Sequence, residues 1–258
     1  MDSITLLYIN VIVVLVGAAI GSFLNVCISR IPEGVSIIHP ASRCPYCGHP
    51  VRFYDNIPVI SFVILRGKCR DCGHPIDRRY PLVEILTAFF AFTIFRHFGI
   101  APITLVVFLF VCVLIVISFI DLEKQLIPHV LTLTGIPVFA VLSVLFNGLG
   151  LSDVFLGIMV GAGSLYFVAV YYEALTGREG MGGGDVNLMA MLGAFFGVKS
   201  LLFILLVSSL LGAVVGIAFI LFKGKDMKYA LPFGPFLCAA GVVYLFFGDS
   251  LSSMFFHF

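Results

Sequence analysis

Long runs of uncharged, mostly apolar residues separated by short polar segments dominate the chain. Six such runs cover residues 3–29, 104–120, 126–152, 154–172, 200–222 and 231–248. Each run reaches the roughly 17–25 residues with which an α-helix crosses the hydrocarbon core of a bilayer, or exceeds them. The pattern therefore predicts at least six transmembrane helices.

Two further apolar runs are too short to be assigned by length alone, since residues 85–95 and 186–198 contain only 11 and 13 residues. Segments of this length also occur as re-entrant or partial helices. The distribution of basic residues decides between the alternatives. If both runs span the membrane, one face holds 13 of the 15 lysine and arginine residues, and only Arg96 and Lys199 lie on the other.

The favoured face is predicted to be cytoplasmic, because cytoplasmic loops carry the excess of lysine and arginine. Its basic residues are Arg30, Arg43, Arg52, Arg66, Lys68, Arg70, Arg78, Arg79, Lys124, Arg178, Lys223, Lys225 and Lys228. This reading has eight spans and places both termini outside. We expect the first helix to be retained, because its run is too long for a cleaved signal peptide and its only early charge is Asp2.

Composition agrees with this assignment. Hydrophobic residues make up 60% of the 258 residues and charged residues 11%, against about 45–50% and about 25% in a soluble domain. A soluble globular, disordered, collagen-like or nucleic-acid-binding chain is excluded, and membrane lipid is the expected surrounding. The predicted fold is an all-α polytopic membrane protein of about eight transmembrane helices. It has a first helix at 1–29, a cytoplasmic insert at 30–80 and seven helices at 81–258.

The insert contains a repeated cysteine motif, CPYCGHP at 44–50 and CRDCGHP at 69–75. Two C-x-x-C pairs separated by 21 residues supply four thiolates with the spacing of a structural zinc site. The predicted ligands are Cys44, Cys47, Cys69 and Cys72. A pair of redox dithiols is the alternative, but the reducing cytoplasm disfavours it. With four protein ligands, the zinc would hold the insert together rather than take part in chemistry.

The remaining cysteines and the histidines of the insert are expected to have ordinary roles. Cys27, Cys112 and Cys238 lie in or beside apolar helices, where cysteine behaves as a small buried residue. One of the three histidines of the insert could replace a cysteine ligand, although we expect these side chains to face solvent or to support the ligands. The chain contains no H-E-x-x-H motif, which argues against a zinc protease.

Two aspartates lie where no solvated helix end explains them. Asp121 ends the apolar run FVCVLIVISFI without a break, and Asp185 directly follows the glycines at 182–184. Two complete crossings, 126–147 and 152–175, separate them, so both emerge on the same face. The 13 uncharged residues after Asp185 form about 20 Å of helix, less than a hydrocarbon core of about 30 Å. We therefore expect the GGGD turn to lie inside the inner leaflet.

This placement would let the two carboxyl groups meet. Two carboxylates within a few ångström cannot both ionise easily, so one keeps a proton, as in the paired aspartates with which aspartic proteases activate water. A glycine-rich turn at membrane depth is tolerated where it lines a cavity. Paired membrane aspartates also form proton or cation sites in transporters, and the two residues alone do not decide between these functions.

Six motifs follow one another along the chain: GSFLNVCISRIP at 21–32, the paired cysteine motifs, RYPLVE at 79–84, FIDLEKQLIPHVLT at 119–132, GGGDVNLMAMLG at 182–193 and PFGPFL at 232–237. In this order they resemble the bacterial type IV prepilin peptidases, also called prepilin leader peptidases. The resemblance runs nearly end to end. It implies an integral-membrane aspartic protease of the GxGD type, with Asp121 and Asp185 as the catalytic pair and the four cysteines of the insert as zinc ligands.

The resemblance also implies substrates and a second activity. Type IV prepilins and pseudopilins would lose their basic leader after a glycine, at the cytoplasmic face of the bacterial inner membrane. The new N-terminus would then be methylated with S-adenosylmethionine. No nucleotide-binding motif in the chain indicates that methylation site, for which Glu84 is a candidate. An ion-coupled transporter or scaffold with a structural zinc module is the alternative from another class.

One residue departs from the family pattern. The family usually reads GxGDxK, and Asn187 stands at the lysine position. A nearby ammonium would favour the ionised form of Asp185. Its absence predicts either that the aspartate pair keeps its proton to higher pH or that another part of the chain supplies a basic group.

Overall fold

The computed structural model describes residues 3–177, 182–223 and 232–255. Within these ranges the backbone forms nine α-helices, a few short 3₁₀ and π turns, and no β-strand. The prediction of an all-α membrane protein is confirmed. The chain divides into two compact units, residues 1–116 and 117–258, and each is described by itself.

The first unit contains the helices α1 (Ser3–Arg30) and α3 (Arg79–Phe98), with the polar insert between them. The only α-helix in the described insert is the short α2 (Ile60–Ile64). Most of the insert is loop, because its polar, glycine- and proline-containing sequence supports no long helix. Its order therefore depends on contacts other than helical hydrogen bonds.

Small residues bring α1 and α3 together. A Cβ atom added at Gly17 would lie 2.6 Å from Cβ of Ala91, and one added at Gly21 would lie 2.7 Å from Cα of Glu84. Neither distance leaves room for a side chain, and such close backbone approach is a common basis of helix packing in membranes. The contact holds the start of α3, which carries Glu84, against α1.

Helix α4 (Pro102–Lys124) ends in the second unit. The unit continues with α5 (His129–Leu142), which is extended by a π turn (Ser143–Asn147), and with α6 (Leu151–Thr176). The remaining helices are α7 (Gly183–Phe196), α8 (Leu201–Lys223) and α9 (Gly234–Phe255).

The short helix α7 is the most buried element of the second unit. Its residues 188–195 are all buried, and α5 and α6 pack against it. A Cβ atom at Gly193 would overlap the carbonyl oxygen of Gly157 on α6. The Ser143 hydroxyl donates a hydrogen bond to the Phe195 carbonyl oxygen at 2.8 Å. Because α7 is covered by protein, its apolar residues are explained without contact with lipid.

The predicted spans correspond to these helices with two differences in length. Of the described helices, six are long and apolar enough to cross a bilayer: α1, α3, α4, α5 with its π turn, α6 and α8. The 14-residue α7 is shorter. Helix α9 has 22 residues, and its stretch Gly234–Gly248 is apolar. Conversely, the short apolar run at 85–95 lies within α3, which has 20 residues. The charged residues of α3 lie near the two ends of the helix.

Some residues used for the topology lie outside this description. The structure does not describe Arg178, Lys225 or Lys228, which contribute to the predicted cytoplasmic charge. The three cysteines predicted to be buried, Cys27, Cys112 and Cys238, are buried.

Candidate active site and metal centre

Asp121 lies near the end of α4 and is only 5% exposed. Its backbone carbonyl accepts a hydrogen bond from the amide of Gln125 at 2.9 Å, and Gln125 adopts a positive φ of 52° that turns the chain out of the helix. Its carboxylate Oδ2 accepts a hydrogen bond from the backbone amide of Gly234 at 3.0 Å. The first residue of α9 thus holds one oxygen of the Asp121 carboxylate.

Glycine is required at position 234 by this contact. A Cβ atom there would lie 2.6 Å from Asp121 Oδ2 and 2.9 Å from Cδ1 of Ile127. The PFGPFL motif at 232–237 therefore contacts the candidate site through its backbone. Sequence reasoning did not identify this partner, although the glycine between two prolines was the visible signal.

Asp185 lies in the first turn of α7, where its amide donates to the Gly182 carbonyl oxygen at 3.1 Å. Its Oδ1 atom is buried and forms no hydrogen bond within the described chain. Its carboxyl group is close enough to Asp121 to interact with it electrostatically. The two predicted aspartates are therefore brought together, although they lie on separate helices.

A second glycine permits the approach of α7 to the segment that follows α4. A Cβ atom at Gly184 would lie 2.7 Å from Cβ of Ile127. The absence of a side chain lets the start of α7 pass directly over Ile127, which is itself buried. Gly183 has no such constraint, because a Cβ atom there would meet nothing within 4 Å.

Next to the aspartates, Asn187 contacts a histidine that sequence reasoning did not identify. Asn187 Nδ2 lies 3.1 Å from Nδ1 of His129, so the amide can donate to that ring nitrogen. His129 is the first residue of α5 and directly follows Pro128 of the FIDLEKQLIPHVLT motif at 119–132. The lysine position of the family pattern is thus occupied by an amide that is paired with a titratable ring.

The four cysteines of the insert form one cluster. Their Sγ atoms all lie within 4.8 Å of one another, and the Sγ atoms of Cys44 and Cys72 are 3.8 Å apart. Tetrahedral zinc with Zn–S bonds of about 2.3 Å would separate its ligands by about 3.8 Å. The cluster is therefore of a size that could hold a metal ion.

The sequence repeat of the insert becomes a structural repeat. In the first motif the Cys44 amide donates to the His49 carbonyl oxygen, and in the second the Cys69 amide donates to that of His74. Gly48 and Gly73 both adopt a positive φ near 70°, as the motif requires after its second cysteine. The two motifs thus present their thiols in the same way, which brings all four into one site.

The electrostatics of the thiols favour a bound cation. Hydrogen bonds from the backbone amides of Cys47 and Tyr46 lower the pKa of the Cys44 thiol to about 7. At Cys72 the backbone hydrogen bond of His74 lowers the pKa, but desolvation and hydrogen bonds among the thiols outweigh it and raise the pKa to about 12. The Cys72 thiol therefore does not ionise at neutral pH unless a cation compensates its charge.

Ion pairs link the two halves of the insert. The Arg70 guanidinium forms a bidentate salt bridge with the Asp55 carboxylate, with a shortest N–O distance of 2.6 Å. Arg52 Nη2 lies 3.5 Å from Asp71 Oδ1. Hydrogen bonding to the Arg70 guanidinium lowers the pKa of the Asp55 carboxyl. The cysteine cluster thus has polar contacts around it that order the loops.

Comparison with known proteins identifies the family. Residues 15–98 match the family model of the bacterial peptidase A24 N-terminal domain, and residues 108–217 match that of the type IV leader peptidase family. The chain is 39% identical over 265 residues to the prepilin leader peptidase/N-methyltransferase of Aeromonas hydrophila, covering 93% of this chain and 91% of that protein. The chain belongs to the type IV leader peptidase family.

Other members of the type IV leader peptidase family are similarly close. Proteins named prepilin leader peptidase/N-methyltransferase from Pseudomonas aeruginosa PAO1 and Myxococcus xanthus are 35% and 41% identical to the chain. The first alignment covers 95% of the chain and 92% of the relative, and the second covers 81% and 62%. No solved structure matches the chain. The family predicted from the six sequence motifs is confirmed.

In this type IV leader peptidase, the cysteine cluster and the aspartates lie in different matched regions. The N-terminal match contains the four cysteines and Glu84, and the second match contains Asp121 and Asp185. Gly234 lies beyond both matches.

Proposed function

We propose that this type IV leader peptidase removes the leader of type IV prepilins or pseudopilins by aspartic-protease chemistry, with Asp121 and Asp185 as catalytic residues. The observation that carries this proposal is that carboxyl groups from two separate helices lie near each other beside Ile127. One is buried and holds the Gly234 amide, and the other has a buried oxygen with no hydrogen bond in the described chain. Such a pair can share one proton and activate water.

The two environments favour different roles. The Gly234 amide donates to Asp121, and a donated hydrogen bond favours the ionised form of a carboxylate. Asp185 Oδ1 receives no such bond, and the neighbouring Asp121 disfavours a second negative charge. We therefore assign the general base to Asp121 and the proton donor to Asp185.

In this assignment a water molecule loses a proton to Asp121 while its oxygen attacks the carbonyl carbon of the scissile bond. Asp185 gives its proton to the carbonyl oxygen. The C–N bond then breaks as the leaving nitrogen takes up the proton held by Asp121 and the carbonyl re-forms by returning a proton to Asp185. The pair ends the cycle in its starting state and titrates as a unit.

The substrate's apolar N-terminal helix would lie among the membrane helices while its basic leader stays in the cytoplasm. The insert and both aspartates would face the cytoplasm, and both termini would lie on the outer side of the bacterial inner membrane. The basic residues on the insert side support this orientation. Lipid surrounds the spanning helices, whose outward surfaces are apolar.

We further propose that the protein methylates the new N-terminal amine. S-adenosylmethionine, when bound, supplies the methyl group, whose bond to sulfur breaks as its bond to the amine nitrogen forms and the amine releases a proton. Leader removal precedes this step, because the acceptor amine exists only after cleavage. Relatives that cover nearly the whole chain carry both activities in their names, which supports the proposal.

We propose that the metal of the insert is zinc and that its role is structural. Cys44, Cys47, Cys69 and Cys72 would hold it as thiolates, the ligand type that structural zinc sites use most. Four protein ligands leave no open position for substrate or water. The metal would replace the hydrophobic core that a fifty-residue polar insert lacks.

Leader cleavage tests the catalytic assignment. The variants Asp121→Asn and Asp185→Asn, purified in detergent, should each lose at least a thousandfold of the cleavage rate towards a prepilin while remaining folded. The exposed Glu173→Gln on α6 is a matched control that removes a carboxylate elsewhere and should cleave normally. Product masses with and without S-adenosylmethionine distinguish leader loss from an added methyl group.

Substantial cleavage by either asparagine variant would overturn the assignment of the catalytic pair. Leader loss without any mass increase in the presence of S-adenosylmethionine would instead overturn the methyltransferase. The transporter or scaffold alternative is not favoured, because the relatives that match the chain are named as peptidases.

A further inference from the structure

The first compact unit contains a cavity of about 830 Å³ between the insert, the last turns of α1 and the start of α3. Ligand pockets in proteins typically measure about 300–1,000 Å³. Its wall is formed by α1 residues, by both cysteine motifs and by the start of α3. The proposed peptidase chemistry uses none of these residues, so the cavity is available for another purpose.

Buried hydrogen-bond acceptors line the part of the cavity next to the helices. Asn25 of α1 is only 1% exposed, and its Nδ2 donates to the carbonyl oxygens of Tyr80 at 3.0 Å and Gly21 at 3.3 Å. These bonds fix the orientation of the amide. Its Oδ1 atom is buried and has no hydrogen-bond partner within the described chain. This acceptor can therefore receive a hydrogen bond from a ligand bound in the cavity.

Glu84 of α3 also lines the cavity and is only 7% exposed. Its Oε2 accepts a hydrogen bond from the amide of Val59 at 2.7 Å, and the Ser22 hydroxyl also bonds to the carboxylate. No ion pair to Glu84 is formed by the residues that the structure describes. A buried carboxylate without a cation is costly, so Glu84 is suited to receive a positively charged group.

Other residues of the cavity wall have the complementary chemistry. Arg43 and Arg79 belong to the wall, and Arg79 also donates a hydrogen bond to the Ser29 hydroxyl at 3.0 Å. Guanidinium groups recognise carboxylates. Tyr46 and His74, also in the wall, stack on one another and present flat aromatic surfaces. The cavity therefore combines acceptors for a cation, donors for an anion and a surface for a planar ring.

We infer that this cavity binds S-adenosylmethionine, with Glu84 and Asn25 receiving the positively charged groups of its methionine end. The ligand carries one carboxylate for the arginines and a planar base for the aromatic wall. The inference rests on the proposed methyltransferase activity and assigns that activity a site. It also gives the cysteine cluster a consequence for function, because Cys44 and Cys69 are part of the cavity wall.

Binding of radiolabelled S-adenosylmethionine to the full-length protein in detergent, measured by equilibrium dialysis without any prepilin, tests the inference. Glu84→Gln keeps the acceptor for the Val59 amide and removes the negative charge, so we expect at least tenfold weaker binding. Val51→Trp fills the cavity from a half-exposed loop position and should weaken binding similarly without changing charge. Glu173→Gln, outside the cavity, should bind like the wild type.

The outcomes separate the site from the activity. Leader cleavage that remains within twofold of the wild-type rate shows that each cavity variant is folded. Wild-type affinity in both Glu84→Gln and Val51→Trp would overturn the inferred site while leaving the methyltransferase in place. Absence of binding to the wild type, together with absence of methyl transfer, would overturn the activity and the site together. Selective loss of binding in the two cavity variants is the expected result.

Discussion

The backbone amide of Gly234 is the single group on which the proposed chemistry depends most directly after the two aspartates. It lies 113 positions from Asp121 in the sequence and still donates to that carboxylate. No side-chain donor within the described chain contacts Asp121 Oδ2, so the position of this oxygen depends on how closely the start of α9 approaches. The absence of a side chain at Gly234 makes that approach sterically possible.

Gly234→Ala should therefore impair cleavage. The new Cβ atom would lie 2.6 Å from Asp121 Oδ2 and must displace either the carboxylate or α9. We expect a cleavage rate at least tenfold lower at saturating prepilin. Gly212→Ala on α8 is the control, because its Cβ atom would meet Phe236 at an ordinary 3.5 Å. Equal cleavage rates for the two variants would contradict the role of the Gly234 contact.

The Asn187–His129 contact shows how a departure from the family pattern is accommodated. The imidazole of His129 lies beside the position where the family has a lysine ammonium, so a titratable group is available there. The two alternatives that the sequence left open, a proton kept to higher pH or a basic group supplied from another part of the chain, stay predictions. Only the packing of α5 against α7 brings the imidazole beside Asn187.

Among the elements, α7 decides where Asp185 lies. It is buried between α5 and α6, and its contact with α6 is made by backbone on backbone, at Gly157 with Gly193 and at Gly161 with Met189. Glycines spaced by four residues on α6 form one face along which α7 can pack closely. Any group added at this contact would push α7, and with it Asp185, away from its position.

Gly193→Ala should consequently lower both the stability of the protein and its rate of leader cleavage. The added methyl would overlap the Gly157 carbonyl oxygen, and overpacking of this kind costs about 1–3 kcal/mol. Thermal unfolding in detergent should occur at a lower temperature, and leader cleavage should fall in parallel. Gly163→Ala, on the same α6 but with nothing within 4 Å of its Cβ position, should unfold like the wild type. A Gly193→Ala variant with both properties unchanged would show that α6 and α7 pack differently.

The insert is an element whose order should depend on metal. Treating the purified protein with a strong chelator should remove one metal ion per chain, make the insert sensitive to proteolysis and weaken S-adenosylmethionine binding. Re-addition of zinc should restore all three properties. Cys69→Ser should reproduce the effect without chelator, whereas Cys112→Ser, remote from the cluster and buried in α4, should retain the metal. Full stability and binding after metal removal would contradict a structural metal site.

For the whole molecule, sidedness can be tested at two exposed positions. Phe53 in the insert is 88% exposed and Ile100, between α3 and α4, is 78% exposed. A membrane-impermeant maleimide added to intact cells should label Ile100→Cys and should label Phe53→Cys only after the inner membrane is permeabilised. The opposite pattern would invert the proposed orientation, and with it the cytoplasmic location of the catalytic pair.

Much of this architecture could be predicted because it depends on local physics. The cost of exposing backbone and charge to hydrocarbon sets the length and polarity of spanning helices, so the apolar runs locate them. Ligand spacing alone identifies the cysteine cluster, since Cys44, Cys47, Cys69 and Cys72 repeat one short motif. Counting crossings places Asp121 and Asp185 on one face. Run length did not decide the segments at 85–95 and 186–198, of which the first lies within the 20-residue α3 and the second forms most of the buried α7.

The sequence by itself therefore determined the membrane class, the family motifs and the two aspartates as a candidate pair. The tertiary structure decided the local contacts of each unit: the Gly234 amide on Asp121 and the Asn187–His129 contact in the second, and the cavity lined by Asn25, Glu84 and the cysteine motifs in the first. The physical reason is the range of the interactions. Hydropathy and ligand spacing act within one segment, whereas these contacts join residues that only helix packing brings into reach.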